Sequence, residues 1–568
     1  MVPTPRPSAP GDVPQTGIPP QLAGRMTMAE QHEWHRSYLR RHPVSRRNFL
    51  RGSAALAAVT AVGVSPFGRR AYAQDAPLAV ANRRVGYGAD ASSQLRFAAQ
   101  LSGNPGDVRV FLDHGPTPAL GASTEAEIRN LITQIPDSRG GVLAAEQFYA
   151  HAPVDGLAGR TPHFYRWRTQ DGFVGDIVSA STAMPSARDA LAPFRFTMMG
   201  DQGTDETPLL PPGLAPGDYD DKYYKPDNDP AVPHTDNVLR QIIASRPDFH
   251  VLAGDIAYAD PSGMGRSPMF VPSGAKSPSG FDRFNPYVWD VYLGSIEASA
   301  STTPWMFATG NHDMEAAYPV HGYGGHLARL DFPDNGPAPC PSVYSFVYGN
   351  VAVLSLDAND VSYEITANTG YSHGAQNTWV AQRLAAHRAD PAVDFIVCFF
   401  HHCAYSTVEA HASDGGVRAA WCELFDRYRV DLVLQGHNHA FERSDPIRAG
   451  TPTAVAADYA TVHPETEGTL YYTVGSGGRP RYTFAPGELQ SYRGHEIPDT
   501  FVPNSYVWTA DGDKQQEAVG WSRVRFLDYA FIRVDVRPGR LVSEMDVVAV
   551  DEYGREFDTL TLRRRVRA

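Results

Sequence analysis

From Phe194 onward, short apolar runs alternate with amphipathic stretches, and each run stops at a polar turn. Phe194-Arg-Phe-Thr-Met-Met199 leads into Gly200-Asp201, and Asp248-Phe-His-Val-Leu-Ala253 into Gly254-Asp255. Pro304-Trp-Met-Phe-Ala308 leads into Gly310-Asn311-His312, Phe395-Ile-Val-Cys-Phe-Phe400 into His401, and Asp431-Leu-Val-Leu434 into Gly436-His437. These runs predict five strands, and helical periodicity appears between them around residues 238–244, 378–386 and 417–428. Open α/β sheets place their ligands beyond the strand ends, so the five turns are expected to converge at one sheet edge. Thr469-Leu-Tyr-Tyr-Thr-Val474 and Phe531-Ile-Arg-Val-Asp-Val536 read as strands that complete a second sheet.

Before Pro193 the pattern differs. Asp107-Val-Arg-Val-Phe-Leu112, Gln147-Phe-Tyr-Ala-His151 and His163-Phe-Tyr-Arg-Trp-Arg168 show partial period-two alternation between Gly and Pro punctuation, which predicts a small β-sandwich over residues 77–193. The remainder, 194–568, is expected to form a second domain, since single cores stop growing near ~250 to 300 residues. Residues 205–233 and 261–280 carry no periodicity and read as loops. Residues 476–520, with Tyr482, Tyr492, Arg493 and His495, read as a loop that is either exposed or within reach of a cleft.

Composition places the 568-residue chain among ordinary globular proteins, with 42% apolar and 20% charged residues. Charge is unevenly spread. Ten of the 50 basic residues but only three of the 63 acidic ones lie in residues 1–73, so the rest carries a net charge of about −20. Such a surface repels nucleic-acid backbones and anionic lipid, and excludes nucleic acid as a partner and stable membrane association. The basic start contains Ser45-Arg46-Arg47-Asn48-Phe49-Leu50, an Ala-rich run over 54–64, Arg69-Arg70 and a small-x-small site at Ala71-Tyr72-Ala73. This is the layout of a twin-arginine export signal over residues 1–73, with Met26 and Met28 as alternative starts. Its apolar run is short of the ~20 residues that span a bilayer. The twin-arginine machinery is thus an expected partner, and the periplasm or extracellular space the expected location. Cys340, Cys398, Cys403 and Cys422 are too few for a disulfide scaffold and leave one bridge or buried free thiols open.

The turns carry a consistent chemistry. In order they present Asp201, then Asp255-Ile-Ala-Tyr258-Ala-Asp260, then Asn311-His312-Asp313, then His401-His402, then His437-Asn438-His439. Carboxylate, phenolate, amide oxygen and imidazole suit iron, manganese and zinc, and the set is too large for one ion. Asp255 could bridge two ions ~3.5 Å apart, the spacing that clamps attacking and leaving oxygens in phosphoryl transfer.

This series of blocks resembles the metallophosphoesterases, and specifically the purple acid phosphatases. The resemblance runs from Phe194 onward and includes residues 342–357 and 529–536. The Tyr258-Ala-Asp260 segment has the purple-acid form, where the related protein Ser/Thr phosphatases carry an Asp-Arg pair. The β-rich region before Pro193 looks like that family's fibronectin-like domain. The implied fold is an N-terminal β-sandwich followed by a four-layer α/β/β/α catalytic domain. Carried over by residue, the resemblance implies that Asp201, Tyr258 and His439 bind Fe(III). Asn311, His401 and His437 would bind a divalent Fe, Zn or Mn ion, and Asp255 would join the two. His312 would contact the phosphate and help the leaving group depart. Cys398 and Cys403 stand where the family has Val and Pro; aligning on Tyr405 and Ser406 selects His401 as the ligand and leaves His402 beside the ions or facing substrate. His411 is the nearest match to a further family histidine, with an exposed loop histidine as the alternative. The implied activity is hydrolysis of a small phosphate monoester by in-line attack of a metal-bound hydroxide. A phosphodiesterase or nucleotide pyrophosphatase on the same centre, or a non-catalytic exported binding protein, are the rival readings, and the oligomeric state is open.

Overall fold

Alternation along Phe194–Met199 sends Phe196 and Met198 into one hydrophobic cluster and Met199 into another, which is what a strand buried on both faces requires. The same split recurs at Phe249–Ala253, where Val251 and Ala253 part from Leu252. Along Phe395–Phe400, Phe395, Val397 and Phe399 part from Ile396, Cys398 and Phe400. These details come from a computed structural model that describes residues 77–136, 142–187, 191–205, 232–260, 263, 265, 285–315, 318, 321–484 and 504–567. The twin-arginine segment, most of the 205–233 and 261–280 stretches, and Tyr492, Arg493 and His495 lie outside the described residues.

Two seven-stranded sheets carry the catalytic region. One runs Trp305–Ala308, Phe249–Ala253, Phe194–Met199, Ala530–Arg537, Val542–Asp551, Glu556–Arg565 and Thr461–Val462. The other runs Tyr344–Tyr348, Val351–Ser355, Phe395–Phe400, Leu432–Gln435, Leu470–Val474, Phe441–Ser444 and Ser522–Phe526. Their facing sides share one cluster, in which Phe196, Val251, Val397, Phe399, Leu434 and Tyr472 are fully or almost fully buried. Helices His234–Ser245 and Val288–Ala300 cover the outer face of the first sheet through Val238, Ile242, Trp289 and Leu293. Helix Ala375–Ala389 and the helical segment 415–428 cover the second through Val380, Leu384, Trp421 and Phe425. The result is the expected α/β/β/α order.

Three expectations need correction. The five strands that precede the candidate turns do not share one sheet edge: three belong to the first sheet and two, Phe395–Phe400 and Leu432–Gln435, to the second. Likewise Leu470–Val474 and Ala530–Arg537 lie in different sheets. Period-two patterning identifies a strand buried on both sides but holds no information on which sheet receives it. Residues 504–518 are not a loop but an antiparallel hairpin, Asn504–Trp508 with Lys514–Ala518, whose Lys-Gln-Gln-Glu-Ala strand is exposed and so lacks an apolar face.

Residues 77–187 form two four-stranded sheets. One orders Val80–Tyr87, Leu95–Leu101, Val142–Val154 and Glu127–Pro136; the other orders Ala122–Glu125, Val110–Gly115, Pro162–Thr169 and Val178–Ser181. Helix Val288–Ala300 packs between this sandwich and the catalytic sheet, with Gln100 and Gln147 donating to Asp290 at 2.6 and 2.5 Å and Asn82 N–H donating to Glu297 at 2.9 Å. Contact on both sides blurs its amphipathic pattern, and so this helix was not legible in the sequence.

Candidate metal centre

Each candidate residue sits just past a strand end. Asp201, Asp255 and Asn311 follow Phe194–Met199, Phe249–Ala253 and Trp305–Ala308, whereas His401 and His437 follow Phe395–Phe400 and Leu432–Gln435 of the opposing sheet. Backbone bonds extend the pairing into the turns: Asp201, Gln202 and Gly203 N–H donate to the carbonyls of Gly254, Asp255 and Ile256, and Gly436 N–H to that of His401. The turns are sharp. Asp201, Asp255, Tyr258 and His437 all have positive φ, between 50° and 66°, a conformation that costs a non-glycine residue on the order of 1 kcal/mol. Four such residues in one place are the mark of a site where function fixes the backbone. Neighbouring glycines make room: a Cβ on Gly436 would lie 2.6 Å from an Asp201 carboxylate oxygen, and one on Gly310 would overlap Asp255.

The donor atoms converge on His401. Its Nε2 lies 3.1 Å from Asn311 Oδ1, 3.2 Å from His437 Nδ1, 3.2 Å from Asp255 Oδ2 and 4.0 Å from Asp201 Oδ1. A second group adjoins it, with Tyr258 Oη 3.0 Å from Asp201 Oδ1 and 3.1 Å from His439 Nε2, and His439 Nε2 3.3 Å from Asp201 Oδ1. All seven of these residues are buried.

Their back sides are tied to acceptors, which fixes the tautomers. His401 Nδ1 donates to the Ala253 carbonyl at 2.8 Å, and His439 Nδ1 to the Pro480 carbonyl at 2.7 Å. His437 Nε2 donates to Glu364 Oε2 at 2.9 Å. The remaining ring nitrogens therefore face one another and carboxylates across roughly 3 Å. Ligands about 2.0–2.2 Å from a shared ion stand roughly 3 to 3.5 Å apart, so this donor set fits metal ions. The electrostatics agree. Burial pulls the His401 imidazole down, but Asp255 and Asp201 outweigh it and push it up to about 9, a sign of a pocket that favours positive charge. Behind Asp255, burial and then the Asp255 charge hold the Asp313 carboxyl up at about 8 while it accepts from the Gly310 and Ile256 amides.

Three more histidines face this cluster. His312 Nδ1 donates to the Asp260 carbonyl at 2.7 Å, and its Nε2 stands 3.9 Å from Asp255 Oδ2. His402 is fully buried with its ring 4.4 Å from that of His437, and neither of its nitrogens has a hydrogen-bond partner among the described residues. Burial, then His401, hold it well below the usual histidine range, so it is a neutral imidazole with two unanswered polar atoms. His411 is half-buried, its ring 4.1 Å from that of His437, and it donates to Glu364 Oε1 at 2.6 Å.

Some neighbours were not singled out in the sequence. Glu364 lies in an aperiodic loop, and Arg479 stacks its guanidinium 3.9 Å over the Tyr258 ring. Tyr482 stacks on His439 at 4.0 Å, which resolves the 476–520 question in favour of contact with the cleft at that residue. All four cysteines are free thiols. Cys403 donates to the Gly436 carbonyl at 2.9 Å, beneath the ligand turns.

Comparison with known proteins agrees with this geometry. The calcineurin-like phosphoesterase profile matches residues 215–441, and the twin-arginine translocation signal profile matches residues 43–63. An uncharacterized protein of Mycobacterium tuberculosis is 30% identical over 88% of this chain and 90% of its own length. Purple acid phosphatase 15 of Arabidopsis thaliana is 24% identical over 52% of this chain and 49% of its own. Among solved structures, purple acid phosphatase PPD1 from yellow lupin (Lupinus luteus) seeds superposes with a TM-score of 0.59 at 18% identity, covering 86% of this chain and 74% of that one.

The chain carries a calcineurin-like metallophosphoesterase domain and has purple acid phosphatases among its homologues. It is a phosphoric ester hydrolase whose family implies a dinuclear metal centre, and it carries a twin-arginine signal for export to the periplasm or beyond the cell. Among the described residues no helix is long and apolar enough to cross a membrane.

Proposed function

We propose that the protein is an exported dinuclear-metal phosphatase of small phosphate monoesters. The observation that carries this reading is the ring of four donors around His401 Nε2, all within 4.0 Å and all buried. Asp201, Tyr258 and His439 would hold one ion, Fe(III) by family resemblance. Asn311, His401 and His437 would hold a divalent ion, and Asp255 would bridge the two. Held there, the ions would supply an acidified water as nucleophile and charge withdrawal from the phosphate.

The protein's own groups do the rest. His312, with Nδ1 committed to the Asp260 carbonyl, can take a proton at Nε2 and pass it to the leaving oxygen. His402 and His411 line the same pocket and offer ring nitrogens to phosphate oxygens. The strained turns at Asp201, Asp255 and Tyr258 hold the ligands before substrate arrives, so little reorganisation is needed in the transition state. We assign residues 77–193 as a non-catalytic, fibronectin-like domain and 194–568 as the catalytic domain. Comparing turnover of a chromogenic phosphate monoester with that of its diester tests the substrate class: the monoester is expected to be the faster, and preference for the diester would replace this reading with a phosphodiesterase on the same centre.

A further inference from the structure

We propose that Glu364 is a positioning residue, a carboxylate that holds His437 and His411 in the tautomers the reaction requires. The inference rests on the dinuclear reading above. Glu364 Oε2 is 2.9 Å from His437 Nε2, and Glu364 Oε1 is 2.6 Å from His411 Nδ1. A carboxylate can only accept, so both ring nitrogens carry hydrogen. His437 then has its lone pair on Nδ1, the atom 3.2 Å from His401 Nε2. His411 keeps Nε2 free, an acceptor in the neutral ring and a donor to a phosphate oxygen once it is protonated. One side chain thereby couples a metal ligand to a substrate-facing imidazole, and carboxylate–histidine pairs of this kind orient ligands in metal sites generally.

The carboxylate is itself held in place. Ser362 Oγ donates to Asp414 Oδ2 at 2.6 Å, and the Tyr363 and Glu364 amides donate to the same carboxylate at 3.1 and 3.3 Å. Asp414 also accepts from the Gly416 and Val417 amides and pairs, with Ser413, alongside Val507 and Trp508. Trp508 Nε1 donates to the His411 carbonyl at 2.7 Å, and Lys514 Nζ to that of Glu409 at 2.9 Å. The 504–518 hairpin and Asp414 thus fix both ends of the Glu364–His411 contact, while Glu364 lies 73 residues before His437 in the chain. Its side chain is only 7% exposed.

The test is metal retention by the holoenzyme and by Glu364→Gln and Glu364→Ala. A graded chelator titration read by elemental analysis should show one ion per chain released about 10- to 100-fold more readily in Glu364→Ala. The other ion should be held as in the wild type. Glu364→Gln, which keeps the shape and one acceptor, should fall between the two. In both variants kcat should drop more than KM rises. Wild-type retention of both ions with unchanged kcat in Glu364→Ala would overturn the proposal. So would a third equivalent of metal in the wild type that disappears in Glu364→Gln, since Glu364 would then be a ligand. A wild type without two ions would instead defeat the dinuclear reading itself. If Glu364→Ala does not fold, the isosteric Glu364→Gln decides by the same titration.

Discussion

His401 donates from Nδ1 to the carbonyl of Ala253 across 2.8 Å, and this bond joins the two halves of the catalytic region. Ala253 ends a strand of one sheet and His401 begins the turn after a strand of the other. The bond therefore aligns the sheets and sets the imidazole so that Nε2 faces Asn311, His437 and Asp255. Its neighbour has no such anchor among the described residues, where both His402 nitrogens lack a hydrogen-bond partner. The two adjacent histidines should then behave differently. His401→Ala should lose about one equivalent of metal and reduce kcat on the order of 10²-fold or more. His402→Ala should keep both ions and raise KM about tenfold, the loss of one hydrogen bond to substrate of about 1.4 kcal/mol. Elemental analysis alongside kinetics separates them, and the reversed pattern would reassign the ligand.

Asp255 turns one carboxylate oxygen to His401 Nε2 at 3.2 Å and accepts at the other from the His312 amide at 2.8 Å. Asp255→Ala is predicted to remove both ions and to cut turnover by on the order of 10³-fold or more. Turnover close to wild type in that variant would refute a shared bridging carboxylate.

Tyr258 places its hydroxyl between Asp201 and His439. If it ligates Fe(III), the purified protein absorbs visible light by phenolate-to-iron charge transfer, and Tyr258→Phe is expected to bleach it. A colourless wild type holding two zinc or manganese ions would reject iron while leaving the hydrolysis reading in place.

At the junction with the sandwich, burial outweighs the Gln100 and Gln147 hydrogen bonds and pushes the Asp290 carboxyl up to about 6. The folded protein thus prefers the protonated acid more than the unfolded chain does. Stability from this group is complete below about pH 4 and is lost as pH rises through 6. Asp290 keeps some solvent contact, so the loss is expected to be about 1 to 2 kcal/mol rather than the roughly 3 kcal/mol of a dry group. Asp290→Asn should melt a few degrees above wild type at pH 8 and level with it at pH 4. Parallel melting curves at the two pH values would contradict this.

The candidate turns were legible because strand patterning and Gly-Asp or Gly-His turns are local: Phe194–Met199 and Phe395–Phe400 match the predicted runs residue for residue. What was not legible depends on contacts remote in sequence. Nothing near Glu364 points to His437, and the role of Asp290 requires Gln100 and Gln147 from another part of the chain. The anchor that sets His401 apart from His402 is Ala253, nearly 150 residues upstream.

The central claim, a two-ion centre that hydrolyses phosphate monoesters, is tested most directly by elemental analysis of the purified wild type, paired with its turnover of a chromogenic monoester before and after complete metal removal. Two equivalents of metal per chain, activity lost with the metal and restored by adding it back, are the predicted result. Fewer than two equivalents in active protein, or full turnover after complete removal, would contradict it.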